Sequence, residues 1–155
     1  DDSASRGLGD VYKRQTMYIL WWSFSLMYKV FCDGASRSNP GEAAIGVSIQ
    51  ENDDEIHTIS EAIGIASNNV AEYKSLIFAL QYSLENNYLN LEIFLDSKLV
   101  VEQINGNFKV KSDNLKKLNS DALNLLKKFD SISIKHIYRE QNKRADQLAN
   151  MALDK

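Results

Sequence analysis

The hydrophobic pattern of this chain first changes its period at Ser67–Asn69. Before that point three β-rich runs follow one another through short turns. Tyr28–Cys32 is the first and ends at Asp33-Gly34. Ser38-Asn39-Pro40-Gly41, which holds the only proline, is a turn signal. Ala43–Gln50 is the second run, Asn52-Asp53-Asp54 a polar turn, and Ile56–Ile65 alternates as a third strand. After that point Val70, Tyr73, Leu76, Ile77, Leu80 and Leu84 fall at the spacing of an amphipathic helix. Asn68 or Asn69 can cap its start, and Asn86-Asn87 ends it. Strand and helix then alternate: a strand over Leu91–Leu95, a short helix over Ser97–Ile104, a helix over Asn114–Phe129, a strand over Ile132–Tyr138 and a last helix over Gln141–Leu153. The order βββαβααβα describes an α/β domain. Three antiparallel strands are extended by two that, reached through helices, run parallel to the first. The expectation is a five-stranded mixed sheet with helices on both faces.

This pattern occupies residues 27–155, which suits a single domain with one core. Residues 1–26 do not share it. Ser5–Gln15 (SRGLGDVYKRQ) resembles no targeting signal but matches one reading frame of a transposase adapter used to build sequencing libraries. The expectation for 1–26 is a non-native leader, adapter followed by read-through, disordered or loosely packed, with the true start at Met27. Met17–Leu26 is apolar but shorter than the ~20 residues a membrane-spanning helix needs, and it lacks the small-residue cleavage site of a signal peptide. No membrane partner is expected. A net charge of −3 argues against a strongly basic protein held on nucleic acid by bulk charge alone, but not against a nucleic-acid enzyme. The single cysteine, Cys32, rules out an internal disulfide and favours a reducing, cytoplasmic setting.

Four carboxylates stand where this topology gathers ligands. Asp33 ends the first strand and Asp96 follows the fourth. If those strands are parallel neighbours, the two lie side by side beyond the strand ends. Glu72 falls in the first turn of the first long helix and Asp146 in the first turns of the last. Each has a plain structural reading: an Asp after a strand makes turns, and a Glu near a helix start offsets the helix dipole. Together they form a cluster that repels itself without a cation, and an all-oxygen site suits Mg²⁺ or Mn²⁺.

The motifs Asp33-Gly34-Ala35-Ser36-Arg37-Ser38-Asn39-Pro40-Gly41, Ser67-Asn68-Asn69-Val70-Ala71-Glu72-Tyr73, Asp96-Ser97 and Arg139-Glu140-Gln141-Asn142-Lys143-Arg144-Ala145-Asp146 resemble those of the type 1 ribonuclease H family, in its compact branch related to the ribonuclease H of reverse transcriptases. The resemblance covers essentially all of 27–155. It implies a ribonuclease H-like fold and an endonuclease that cuts the RNA strand of RNA·DNA hybrids by two-metal catalysis. The products are a 5′ phosphate and a 3′ hydroxyl. It makes Asp33, Glu72, Asp96 and Asp146 the ligands of Mg²⁺, with Mn²⁺ as the alternative. Asn39, Asn68 and Asn69 would face the RNA strand, and Ser67 a DNA phosphate; helix capping is the other reading of the Asn pair. The chain is expected to act as a monomer.

The chain also departs from the family. Many members carry a basic helical protrusion that grips the DNA strand, and the interval Gly106–Asn114 is too short for it. Lys109, Lys111, Lys116 and Lys117 serve partly instead, or form a solvated face, which implies salt-sensitive hybrid binding. Many members place a mobile His before the last Asp. Here Arg139 stands nearest and is favoured for the assisting role over His136, which reads as a packed strand residue. His57 reads as a strand-surface residue and Cys32 as a small core residue. The alternative from another class is a noncatalytic hybrid-binding module of the same fold. Retention of all four carboxylates weighs against it. Other nucleases and transposases of the superfamily share the acidic cluster without these motif contexts, and a phosphatase would need a nucleophile loop that is not found.

Overall fold

The structure, a computed structural model, describes residues 26–155. The expectation that the leader is loosely packed therefore lies, Leu26 apart, outside the described residues. The fold opens with three strands, β1 (Tyr28–Ser36), β2 (Gly41–Glu51) and β3 (Asp54–Ala66). Only Asn52 and Asp53 join β2 to β3, with φ of 51° and 67°. Two left-handed residues in a row twist the chain as an antiparallel hairpin requires, and Asn and Asp tolerate that conformation best after glycine. Then follow α1 (Asn68–Glu85), β4 (Asn90–Leu95), α2 (Lys98–Ile104), α3 (Asp113–Leu126), β5 (Ser131–His136), a 3₁₀ turn (Arg139–Gln141) and α4 (Lys143–Leu153).

The five strands form one sheet in the order β3-β2-β1-β4-β5. β1 is antiparallel to β2 and parallel to β4, and β4 is parallel to β5. Both sheet faces are covered. Gly34 of β1 lies against the backbone of α1, whereas Gly46 of β2 lies under α4. Gly46 pairs with Asp33, the residue before Gly34, so the two glycines face opposite sides of the sheet. The expected α/β architecture is the one found.

Several boundaries differ from the sequence reading by one to three residues or more, and three of them have a plain physical reason. β1 does not end before Asp33 but runs on to Ser36, because β2 keeps pairing with it as far as Ser36–Ala43. Its pairing with β4 stops earlier, at Cys32–Leu95. The cap of α1 is neither Asn68 nor Asn69 but Ser67, whose extended backbone (φ −77°, ψ 165°) lets its hydroxyl accept from the Val70 N–H. The last helix begins at Lys143, since Arg139–Gln141 forms a separate turn in which the Gln141 amide oxygen accepts from the Tyr138 N–H. The expected end of α1 holds. Asn87 is left-handed (φ 57°), and the Asn87 and Tyr88 N–H groups return to the Leu84 and Ser83 carbonyls.

The main core lies between the sheet and α1. Val30, Cys32, Ile45, Val47, Leu91, Ile93 and Leu95 from the strands meet Tyr73, Leu76 and Leu80 from the helix, all fully buried. Burial of this kind stabilises by about 1.5–3 kcal/mol per large side chain. Tyr73 is buried together with its hydroxyl, which donates to Gln103 of α2 (2.7 Å) and accepts from Asn119 of α3 (3.2 Å). One polar group thus ties three helices without being left unsatisfied. Cys32 is the expected core residue, and burial pushes its thiol up. His57 is not a bare surface residue: its ring lies flat on Tyr82, 3.9 Å between centroids.

On the far face, Arg144 of α4 makes two bonds of 2.9 Å to Glu55 of β3, and Ser48 donates to the same carboxylate. The Arg144 guanidinium holds the Glu55 carboxyl below its usual range. A depressed pKa stabilises the fold above the unfolded value, about 4.3, and that contribution is lost as pH falls through the folded value. The pair is partly open to solvent, with side chains 44% and 32% exposed, which limits it to about 1 kcal/mol. Arg144→Ala is therefore expected to cost up to about 1 kcal/mol in urea unfolding at pH 7 and next to nothing at pH 3. Equal losses at both pH values would assign the effect to packing instead.

Candidate active site

The register of β1 and β4 sets the site. Their last paired residues are Cys32 and Leu95, and the next residue on each strand is an aspartate, Asp33 and Asp96. Glu72 reaches the same place from the second turn of α1, not the first as expected, because the helix already begins at Asn68 behind the Ser67 cap. It is anchored by Gly34, whose backbone N–H donates to Glu72 Oε1 at 3.1 Å. Asp33, Glu72 and Asp96 each offer an oxygen within 4.8 Å of the other two. Asp33 and Glu72 are buried, at 5% and 6% exposure.

Three carboxylates at this distance cannot all hold charge cheaply. Burial, more than the neighbouring Asp96, pushes Asp33 up to about 7. Burial and then Asp33 itself push Glu72 well up, and the Gly34 N–H only partly opposes this. Glu72 Oε2 is buried with no hydrogen-bond partner among the described residues. An orphaned buried oxygen beside two more carboxylates is the donor set of a hard divalent cation, so these residues fit Mg²⁺ or Mn²⁺.

The three line a cleft of about 590 Å³. Asn68 and Asn69 border it at the start of α1, and Arg139 borders it from the 3₁₀ turn. Asp146 lines it too, and adds to the upward push on Asp33. It lies outside the mutual set of three, with its carboxylate accepting from Asn150 at 3.3 Å. Two other sequence candidates do not border the cleft. Asn39, next to the cis Asn39–Pro40 peptide, accepts from the Asn68 N–H at 3.1 Å and so braces the start of α1. Ser67 caps that helix. His136 is exposed at the end of β5, edge-on to Tyr138, and so is not the packed residue expected.

Sequence reading passed over Ser36, Ser97 and Asn150, which also line the cleft. Asn150 was findable, being one helical turn beyond Asp146 on the same face. Asn142, which donates to Asp96 Oδ2 at 3.2 Å, was missed as well. Among the lysines, Lys116 and Lys117 are engaged with Asp113 (3.7 Å) and Asp121 (3.8 Å) on α3. Lys109 and Lys111 border a separate groove with Phe108 and Leu99. Among the described residues no helix is long and apolar enough to cross a membrane.

A mixed sheet of this order, with paired aspartates where β1 and β4 part and a helix-borne glutamate against them, defines an α/β domain with an acidic cleft. The comparisons name it more closely. Residues 31–152 match the family profile described as reverse transcriptase-like. Over 125 residues the chain is 42% identical to ribonuclease HI of Halobacterium salinarum, which covers 80% of this chain and 63% of that protein. It is 41% identical over 124 residues to a bifunctional protein of Mycobacterium tuberculosis, covering 79% of this chain and 34% of that one. The chain thus spans less than two thirds of these curated relatives. The crystal structure of the Halobacterium ribonuclease H1 superposes with a TM-score of 0.80 at 40% identity, over 83% of this chain and 98% of that one. A ribonuclease H1 isolated from compost by a metagenomic approach, solved in complex with an RNA/DNA hybrid, gives 0.77 at 37% identity, over 82% and 96%. The chain belongs to the type 1 ribonuclease H family.

Proposed function

We propose that residues 27–155 form an endoribonuclease that hydrolyses the RNA strand of RNA·DNA hybrids in a reducing, cytoplasmic setting. The observation that carries this reading is the convergence of Asp33, Glu72 and Asp96, two of them buried, beneath a cleft bordered by the two asparagines. A relative of 37% identity, solved with a hybrid bound, supports the substrate class.

Asp33 and Asp96 are the central ligands, and Glu72 and Asp146 complete the set. Two divalent cations held there would supply an ionised water at neutral pH and neutralise the charge that develops on the leaving oxygen. The residues do the rest. Burial of Asp33 and Glu72 keeps their oxygens in one place, so little reorganisation is needed as charge builds up. Asn68 and Asn69 carry amides that donate and accept, which suits a 2′ hydroxyl and gives a preference for RNA on the strand to be cut. Asn39 and Ser67 support that contact by fixing the start of α1. Arg139, exposed at the rim, faces the phosphate with a permanent charge and assists release of the cleaved end. In-line attack by water oxygen on phosphorus breaks the bond to the 3′ oxygen, leaving a 5′ phosphate and a 3′ hydroxyl.

The test uses one labelled sequence as hybrid, duplex RNA and duplex DNA, with Mg²⁺ or Mn²⁺ and with chelator. The expected result is cutting of the hybrid's RNA strand alone, and none with chelator. Hybrid binding without cutting in either cation would replace this reading with a noncatalytic hybrid-binding module. Cutting of duplex DNA would point to another nuclease of the superfamily.

A further inference from the structure

Asn142 stands at the start of α4, where asparagine ordinarily caps a helix, yet its side chain makes no cap bond. Its backbone (φ −116°, ψ 29°) is outside the extended region from which a cap reaches its helix. The side chain instead turns inward and is 1% exposed. Its amide nitrogen donates to the Cys32 carbonyl at 2.8 Å and to Asp96 Oδ2 at 3.2 Å. Both partners are acceptors only, so the opposite amide orientation would set oxygen against two oxygens. The amide oxygen is left buried with no partner among the described residues. A buried, half-satisfied amide is costly, and nothing in the local helix requires it.

We infer that Asn142 is a positioning residue for the cation site: it fixes the Asp96 carboxylate relative to β1 and locks the start of α4 to the same point. The residue before Asp33 supplies the carbonyl it holds, Asp96 supplies the carboxylate, and Asp146 lies one helical turn further along α4. One amide therefore couples the elements that carry three of the four carboxylates. Ligands held in this way lose roughly 10- to 100-fold in metal affinity when the supporting bond is removed. This rests on the reading of Asp96 as a cation ligand.

The experiment is a Mn²⁺ titration of the full chain, followed by its thermal shift in the absence of any nucleic acid. Wild type is compared with Asn142→Ala, Asn142→Ser and Gln103→Ala, the last removing a buried amide bound to Tyr73 away from the cleft. The midpoint is expected to rise roughly 10- to 100-fold in either Asn142 variant and to stay put in Gln103→Ala. Hybrid cleavage should follow the same pattern: kcat recovers at saturating Mn²⁺, while KM for the hybrid is unchanged throughout. An unchanged midpoint in a folded Asn142 variant overturns the inference, as does an equal rise in Gln103→Ala, which would make the effect general loosening. Wild type that takes up no cation overturns it as well. Because the midpoint is read without substrate, a chain that binds cation but cuts no hybrid fails the ribonuclease reading alone.

Discussion

Replacing Asp33 with Asn is expected to raise the melting temperature of the cation-free domain near pH 8 by about 5 °C or more, and to lower hybrid cleavage ~10³-fold or more. Both effects come from the same burial. Asp33 is 5% exposed and burial pushes its carboxyl up to about 7, against an unfolded value of about 3.9. A carboxyl with a raised folded pKa gives its full stability below the unfolded value, and that stability is lost as pH rises through 7. Near pH 8 the charged group therefore costs the metal-free fold something of the order of a few kcal/mol. Asparagine keeps the shape and removes the charge. Below about pH 4 the wild-type carboxyl is neutral as well, and the two proteins should melt alike. Divalent cation should stabilise wild type and release protons as it does so, and do far less for the variant. Melting curves across pH, with chelator or Mg²⁺, and single-turnover cleavage check both halves. A variant less stable than wild type in chelator near pH 8 would mean that Asp33 is held by bonds to its charged form. Cleavage within about tenfold of wild type, a loss of under ~1.4 kcal/mol, would remove Asp33 from the centre of the site.

Which residues meet in this cleft was more legible in the chain than how far apart they stand. Asp33 and Asp96 could be grouped because the element order allows β1 and β4 to be neighbours, as they are, and Glu72 joined them through a motif that resembles the family's. Where β1 ends could not be read, since Asp33 belongs to the strand only through pairing with β2, a contact between distant residues. The cap of α1 was out of reach for a related reason. Ser67, Asn68 and Asn69 all suit the role, and the backbone angles on leaving β3 decide among them. Asp146 shows the limit most clearly. Its motif groups it with the other three, but its distance from them depends on how α4 sits on β2. Asn142 belongs to the same class: its type and position both suggest a helix cap, and only the folded backbone turns it toward Asp96. Residue types and order set which groups are available; packing of helices on the sheet sets how far apart they stand.

That packing rests on two glycines, and Gly34→Ala is expected to cost about 3 kcal/mol or more, with loss of the cation site. A Cβ on Gly34 would stand 2.2 Å from the Ala71 carbonyl carbon and 2.4 Å from the Glu72 nitrogen. Both are backbone atoms of α1, so no side-chain rotation relieves the clash and the helix must move outward. The helix carries Glu72, Asn68 and Asn69, and the Gly34 N–H that anchors Glu72 moves with the strand rather than with the helix. Stability and cation affinity should therefore fall together. Gly46→Ala acts on the other face, where its Cβ would meet the Ala145 carbonyl oxygen at 2.1 Å and the Ala149 nitrogen at 2.5 Å. It should lift α4, and with it Asp146 and the Asn142 amide, leaving Glu72 in place. Gly106→Ala is the contrast, since its Cβ meets nothing within 4 Å and only its left-handed backbone (φ 82°) resists. That costs about 1–2 kcal/mol and leaves cation binding intact. Urea unfolding gives the stability order, and the Mn²⁺ midpoint separates the cleft from the fold. A Gly34→Ala protein with wild-type stability and midpoint would mean that α1 has room to move away from β1, and that the carboxylates do not depend on how closely helix and strand approach.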